Sequence, residues 1–150
     1  RQRYIGFIFQ AYNLLPYLTA EENVALPLAF RGVDKQTRLR AARIMLEKVG
    51  LEHRLHHYPG QMSGGQQQRV GIARAFINRP KVIFADEPTG NLDTQTTLDV
   101  MDMMQRFART YNQTIVLVTH DPELKSYVDR VVDLRDGKII SNTLTGEHRS

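Results

Sequence analysis

The stretch KVIFADE, residues 81–87, passes from a lysine through four apolar residues to a pair of carboxylates. A short continuous apolar run of this kind is typical of a strand buried in a parallel sheet. Helical and strand patterns alternate around it, which predicts βαβ units and an α/β fold whose parallel sheet is covered on both sides. The stretch therefore indicates a buried strand of such a sheet.

The residues before this strand predict one further strand and a first helix. YIGFIF (Tyr4–Phe9) is apolar, aromatic and short, and it ends at the polar Gln10, as expected of a strand. Thr19 and Glu22 have the spacing of a capping box, so a helix should begin there. We expect Pro27 to break that helix, because proline lacks the amide hydrogen that a helix interior uses.

Two longer helices follow. Apolar residues recur at helical spacing from Asp34 onward, and Gly50 supplies a stop signal. Ser63 and Gln66 form a second capping box, which predicts a helix from there to about Asn78. Everything between residues 11 and 65 is thus predicted to be helical, as in a helical insertion between two strands.

The remaining third of the chain continues the alternation. We expect a helix over Thr94–Arg109, a strand at TIVLVTH (residues 114–120) and a short helix after Asp121 and Pro122. Two last strands should pair through the turn RDGK, residues 135–138. The sequence has no internal repeat and no low-complexity tract.

Composition narrows the functional classes. The chain has 150 residues, a formal net charge of +4 and no cysteine, which suits one domain without disulfides or thiolate chemistry. No apolar run approaches the roughly 20 residues of a membrane helix, so a membrane role would come through a partner. Basic residues cluster in RGVDKQTRLRAAR (residues 31–43) without interleaved aromatics, which favours a solvated helix face over nucleic-acid binding. The histidines of HRLHH (residues 53–57) lack a carboxylate or cysteine at metal-site spacing and indicate a surface loop.

Polar residues stand where the predicted parallel strands end, at Gln10, at Asp86 with Glu87, and at His120. Ligands of parallel α/β sheets bind beyond this edge, although any strand must end in something polar. The set suits phosphoryl transfer to water. Asp86 can hold Mg²⁺ and Glu87 can orient or deprotonate the attacking water. His120 can hydrogen-bond the γ-phosphate.

Two glycines stand at a helix start in MSGGQQQRV, residues 62–70. Bare amides of Gly64 and Gly65, at the positive end of a helix dipole, could meet phosphate oxygens. The alternative is a flexible loop that enters a helix. A ligand approaching the backbone closely would explain both glycines.

These residues resemble the ATP-binding-cassette (ABC) ATPases. MSGGQ is similar to the family signature, with Met62 in place of the usual leucine, and VIFADE is similar to the Walker B strand with its catalytic glutamate. NLD (residues 91–93) resembles the D-loop, His120 the switch histidine and Gln10 the Q-loop glutamine. YNLLPYLTAEENVALPL (residues 12–28) and YPGQMSGGQQQRVGIARA (residues 58–75) further resemble the subgroup that serves lipoprotein release and macrolide-type export.

The resemblance implies a P-loop NTPase (RecA-like) core, formed by residues 1–10 and 66–150, with a helical subdomain at 11–65. It implies that two such domains face each other head to tail and sandwich ATP. The residues that would act on the nucleotide of the other copy are Ser63, Gly64, Gly65 and Gln66. Asp93 would couple the two sites. Gln10 would sense nucleotide, help Asp86 hold Mg²⁺ and relay to a transmembrane permease, so the protein would lie at the cytoplasmic face of the cell membrane.

One expected motif is absent from the sequence. No G-x-x-x-x-G-K-[ST] occurs, and the one Gly-Lys pair, Gly137-Lys138, is followed by isoleucine. By resemblance the chain corresponds to the C-terminal two-thirds of a cassette and should not hydrolyse ATP alone. Unpaired strand edges would then favour self-association or segment swapping, which a dispersed monomer in light scattering would contradict.

Three functions remain open. The first is the ATPase subunit of a membrane export or lipoprotein-handling transporter. The second is a cassette ATPase of DNA repair or translation, although those usually carry long insertions or a tandem cassette. The third is an interaction module without catalysis, which would not require both Glu87 and His120. The transported substrate is not encoded here, because the membrane partner forms its path.

Overall fold

The computed structural model describes residues 5–145, which fall into two compact units divided after Val118. Among these residues, the first unit contains four α-helices, three strands and a short 3₁₀ helix at Pro59–Gln61, and the second unit adds another 3₁₀ helix and a hairpin. In order, the first unit has β1 (Ile5–Phe9), α1 (Ala20–Phe30), α2 (Lys35–Lys48), α3 (Gly64–Phe76), β2 (Val82–Asp86), α4 (Thr94–Thr110) and β3 (Thr114–Val118). The second has the 3₁₀ helix Pro122–Tyr127, β4 (Arg130–Arg135) and β5 (Lys138–Leu144). The predicted strand start at Tyr4 lies outside the described residues.

The first unit is built on a parallel sheet with the strand order β1-β2-β3. Phe9 pairs with Asp86, and Asp86 pairs with Val118, so the three carboxyl ends are level. Helices connect the strands, as the alternating pattern predicts, and the α/β fold is confirmed.

Only one face of this sheet is covered within the described residues, so the expectation of two covered faces is wrong for them. Ile8, Ile83 and Ala85 are buried. The opposite face is exposed and apolar, at Ile5, Phe7, Phe9, Phe84, Val116 and Val118. Crossover connections between parallel strands are right-handed, and the strand order advances without reversing. Both crossovers therefore lie on the same side of the sheet.

The core forms on that covered side, around α3. Val70 and Ile72 of α3 and Met103 and Met104 of α4 are almost completely buried. The rings of Phe76 and Phe107 meet edge to face with centroids 5.2 Å apart, which joins the two helices. The hairpin of α1 and α2 packs on α3. The segment MSGGQ (residues 62–66), which resembles the family signature, thus leads into α3, the central helix of the unit.

Pro27 does not break α1, which corrects the expected break. The helix continues through it to Phe30. A proline inside a helix removes one hydrogen bond, but its φ is compatible with helical geometry. Val24, Ala25 and Leu28 are buried around it, so packing holds the helix together despite the missing bond.

Other predicted boundaries agree with the structure. Thr19 and Ser63 both form reciprocal capping boxes, and Gly50 ends α2 with a φ of +77°. Asp136 and Gly137, with φ of +49° and +74°, form the tight turn of the β4–β5 hairpin. No helix among residues 5–145 is long and apolar enough to cross a membrane. The separate helical subdomain at 11–65 and the self-association of the chain stay predictions.

Candidate functional site

The level carboxyl ends of β1 and β2 bring two predicted site segments together. Gln10 directly follows Phe9, which pairs with Asp86, and Glu87 comes next. The predicted edge site is therefore assembled at these three residues. His120 follows β3 by two residues and belongs to the second unit, and its role stays a prediction.

Glu87 has an unusual backbone conformation. Its φ is +45°, in the left-handed region that non-glycine residues rarely adopt. Its amide donates to the carbonyl of Val118 at 2.8 Å, and its carbonyl accepts from the amide of Gly90 at 3.1 Å. Strained residues of this kind cluster at functional sites, where the surroundings hold them in place. The hydrogen bonds on both sides of Glu87 supply that support.

Oxygen donors at this edge suit a magnesium ion that arrives with a nucleotide. Asp86 offers a carboxylate and Gln10 an amide oxygen. Among residues 5–145 no three His, Cys, Asp or Glu side chains are grouped to hold a metal ion. Mg²⁺ commonly takes only one or two protein oxygens and completes its shell with substrate phosphates and water. The two donors therefore fit that mode of binding.

The start of α3 leaves two amides available. Ser63 Oγ accepts from the amide of Gln66 at 3.2 Å, and Gln66 Oε1 accepts from the amide of Ser63 at 3.0 Å. The amides of Gly64 and Gly65 have no recorded acceptor within the described part of the chain. They are the orphan donors that every helix N-terminus presents.

Both glycines also avoid close contacts with side chains of the chain itself. A Cβ at Gly64 would lie 2.7 Å from the Tyr12 hydroxyl, and a Cβ at Gly65 would lie 2.7 Å from Thr96 Cγ2. Either distance is far below van der Waals contact. Packing within the chain therefore favours glycine at both positions without any ligand, in addition to the predicted approach of phosphate.

The N-terminus of α3 differs in charge from those of the other described α-helices. α1 has Glu21 and Glu22 in its first turn, whereas α2 and α4 are capped by Asp34 and Asp93. α3 has a neutral cap and no acidic residue in its first turn. Since a helix N-terminus attracts negative charge, α3 is the described α-helix whose start is not already neutralised by its own carboxylate.

Asp93 is fixed by the helix that it caps. Its carboxylate accepts from the amide of Thr96 and from the Thr96 hydroxyl, each at 2.9 Å. The bond from the Thr96 amide, and then the bond from its hydroxyl, hold the pKa of Asp93 below its ordinary value. The predicted coupling residue therefore has a structural role within its own chain.

The starts of α3 and α4 face one open cleft of about 330 Å³. Its lining contains all four predicted signature residues together with the predicted D-loop residue. The lining residues are Ser63, Gly64, Gly65, Gln66, Arg69, Asn91, Leu92, Asp93, Thr96 and Asp99. The residues predicted as signature and as D-loop thus line one cleft.

Two polar residues of α3 that sequence reasoning missed hold the site loops. Arg74 donates to the carbonyls of Asn13 at 2.8 Å and Tyr12 at 3.1 Å, and both of these residues have positive φ. Burial lowers the pKa of the Arg74 guanidinium. Gln68 is fully buried and donates to the carbonyl of Pro88. The sequence could have indicated Gln68, because it stands four positions before Ile72 and is therefore a polar residue on the apolar face of the helix.

Comparison with known proteins gives consistent matches. A family model described as ABC transporter matches residues 1–90. The macrolide export ATP-binding/permease protein MacB of Shigella flexneri is 47% identical over 142 residues, and that of Escherichia coli (strain K12) is also 47% identical. These alignments cover 95% of this chain but 22% of each relative, so the chain spans a small part of their length.

Solved structures agree with the sequence matches. A dimeric post-hydrolysis state of the ATP-binding cassette MJ0796 bound to ADP and Pi has a TM-score of 0.86 and 39% identity to this chain. Another dimeric structure of MJ0796, described as a bacterial ABC transporter cassette, has the same TM-score at 40% identity. Each covers 99% of this chain and 66% of the neighbour.

Proposed function

The chain belongs to the ABC transporter family, and from that premise we propose that it forms part of the ATP-binding and ATP-hydrolysing domain of a transporter. The observation that carries the proposal is the cleft in which the N-terminus of α3, free of acidic residues, stands beside Asp93. Such a helix start is an anion site because bare amides and the helix dipole both favour phosphate oxygens.

The proposed roles follow from the carboxyl edge of the sheet. Asp86 and Gln10 would hold Mg²⁺, which would neutralise charge on the phosphates. Glu87 orients the attacking water and accepts its proton, since a carboxylate next to the metal site is a suitable base. His120 donates a hydrogen bond to the γ-phosphate. Most of the rate gain comes from positioning and electrostatics, as in other phosphoryl transfers.

The cleft at α3 acts on the nucleotide of a second copy in this proposal. The amides of Gly64 and Gly65, together with the side chains of Ser63 and Gln66, bind phosphate held by the other chain, and Asp93 links the two sites. The dimeric state of the MJ0796 cassettes supports a pairing of two copies, and the head-to-tail orientation belongs to the proposal. The 150 residues contain no P-loop sequence, so hydrolysis requires a protein that joins this sequence to one, hereafter the loop-bearing protein.

The partner of the ATPase is a transmembrane permease, and the ATPase lies at the inner face of the cell membrane. MacB is described as a macrolide export ATP-binding/permease protein, and its 47% sequence identity to this chain supports export as the transport class. The permease sets the substrate, so residues of this chain do not select it.

A single substitution tests catalysis. Glu87→Gln in the loop-bearing protein should leave ATP binding within about twofold of wild type and reduce hydrolysis by at least about a hundredfold, because the water loses its base. The matched control is Glu47→Gln, the same chemical change at an exposed position of α2. Binding is measured by calorimetric titration with ATP and Mg²⁺, and turnover by phosphate release.

Two results would contradict the proposal. Hydrolysis at the wild-type rate in Glu87→Gln would remove Glu87 from the chemistry. Micromolar ATP binding by the 150-residue chain alone would mean that its phosphate anchor is not the missing P-loop. An equal loss in Glu47→Gln would show that the assay reports stability and not the reaction.

A further inference from the structure

We propose that Asn91 is a positioning residue that fixes the amide orientation of Gln10, so that Gln10 presents its oxygen, and not its nitrogen, to the metal ion. The inference rests on the proposed function, since it concerns the Mg²⁺ that accompanies ATP. It assigns Asn91 a role within its own chain, separate from any contact that the D-loop makes with a second copy.

Two hydrogen bonds join Asn91 to Gln10 in opposite directions. Asn91 Nδ2 donates to the main-chain carbonyl of Gln10 at 3.1 Å, and Gln10 Nε2 donates to Asn91 Oδ1 at 3.3 Å. The two residues are 81 positions apart in the chain. The pair therefore connects the end of β1 to the loop between β2 and α4.

The chemistry of the main chain fixes both amide orientations. The carbonyl oxygen of Gln10 can only accept, so the Asn91 nitrogen must face it. Asn91 Oδ1 then faces the side chain of Gln10, and an oxygen can only accept there, so Gln10 turns its nitrogen to Asn91. Gln10 Oε1 is the atom left over, and it is the atom of this side chain that can bind Mg²⁺.

The neighbouring turn leaves room for this arrangement. A Cβ at Gly90 would lie 2.5 Å from Gln10 Nε2 and 2.9 Å from Gln10 Cδ, so a larger residue would displace the amide. The turn is held by bonds from Gly90 to the Glu87 carbonyl and from Leu92 to the Thr89 carbonyl, both at 3.1 Å. Asn91 is thus presented from a hydrogen-bonded turn that begins at the proposed base.

Loss of Asn91 would release the Gln10 side chain. A glutamine that is free to rotate divides its population among several rotamers, so that any one orientation is populated about one tenth of the time or less. The apparent affinity for the ligand falls by that fraction. We therefore expect about a tenfold weaker metal interaction.

The test measures metal binding with turnover stopped. In the Glu87→Gln loop-bearing protein loaded with ATP, Mn²⁺ is titrated and followed by electron paramagnetic resonance. Asn91→Leu should raise the half-saturating Mn²⁺ concentration about tenfold and leave metal-free ATP affinity unchanged. In a Gln10→Ala background the same change should have no effect, because interacting residues are not additive. Gln95→Leu, an exposed amide bonded to Asp99 on α4, is the matched control and should match wild type.

Each other outcome decides the question. Wild-type Mn²⁺ binding in Asn91→Leu, or the same tenfold loss in the Gln10→Ala background, would overturn the role of Asn91. If Glu87→Gln bound neither ATP nor Mn²⁺ before any change at Asn91, the proposed function would fail and this assignment with it. Should the leucine variant not fold, Asn91→Ala read in the same way decides the case.

Discussion

The N-termini of α3 and α4 face the same cleft, but their capping residues differ in charge. Every α-helix begins with unpaired amides and a positive dipole end. In α4 the carboxylate of Asp93 accepts from an amide and also brings a negative charge to the dipole. α3 has the neutral capping residues Ser63 and Gln66 and begins with two glycines. In each helix the cap side chain accepts from the amide three residues later, but only the start of α4 is also neutralised.

The difference separates the stability of a helix start from its availability to an anion. Serine, asparagine and aspartate cap helices about equally well, so stability alone does not choose among them. An aspartate at the cap occupies the place where an external anion would gain most. The neutral cap of α3 keeps that place open, and this is how one cleft can contain a structural helix start beside a binding one.

Adding a negative charge at the α3 cap should give the largest effect. Ser63→Asp keeps a good cap and brings a negative charge to the proposed phosphate position. Two like charges about 4 Å apart repel by roughly 4 kcal/mol at an effective dielectric constant near 20. ATP hydrolysis by the loop-bearing protein should therefore fall by at least about a hundredfold, measured as phosphate release, without loss of thermal stability.

Ser63→Asn is the matched control, since it changes the cap without changing its charge. We expect it to retain hydrolysis within about threefold of wild type, because asparagine caps as well as aspartate does. Equal losses in the aspartate and asparagine variants would mean that the serine hydroxyl itself, and not the neutral charge, matters. Unchanged hydrolysis in Ser63→Asp would remove the α3 start from the site.

A second change separates the two reasons for Gly65. Gly65→Ala should destabilise the protein by about 1 to 3 kcal/mol, because the new Cβ overlaps Thr96 Cγ2. Thr96→Ser removes that methyl group and keeps the hydroxyl that bonds Asp93. In the double variant the free energy of unfolding, measured by urea titration, should return close to wild type. Hydrolysis should stay reduced by about tenfold, since the alanine methyl group keeps phosphate from the backbone.

The Thr96→Ser single variant serves as the control for that experiment and should differ little from wild type in both measurements. If the double variant recovered full hydrolysis together with its stability, Gly65 would be needed for packing against α4 alone. The neutral cap of α3 would then be the sole remaining distinction between the two helix starts.

The elements that sequence predicted well are those whose causes are local. Thr19 and Ser63 each bond a capping partner three residues later, so the local sequence pattern is sufficient to predict where these helices begin. The Asp-Glu pair after an apolar run likewise follows from where a parallel strand must end. Such features need no knowledge of the rest of the chain.

The features that sequence reasoning missed depend on contacts between distant residues. Asn91 and Gln10 meet across 81 positions, and Arg74 reaches the carbonyl of Asn13 across 61. Pro27 stays helical because residues around it are buried, which its local preference does not reveal. Burial on one face of the sheet follows from the direction of strand order, which the alternation of helices and strands does not specify.

The smallest effect concerns pH, because only one of the two caps titrates. The pKa of Asp93 is lowered in the folded chain, so its cap stabilises α4 fully above the ordinary value of 3.8 and loses that contribution as pH falls through the lower folded value. Below pH 3.8 the wild type should therefore lose stability relative to Asp93→Asn, measured as the difference in their free energies of unfolding. The corresponding difference for Ser63→Ala should stay constant, because serine carries no titrating proton. Urea titrations at a series of pH values measure both differences, and a pH-dependent change at Ser63 would contradict the contrast between the two helix starts.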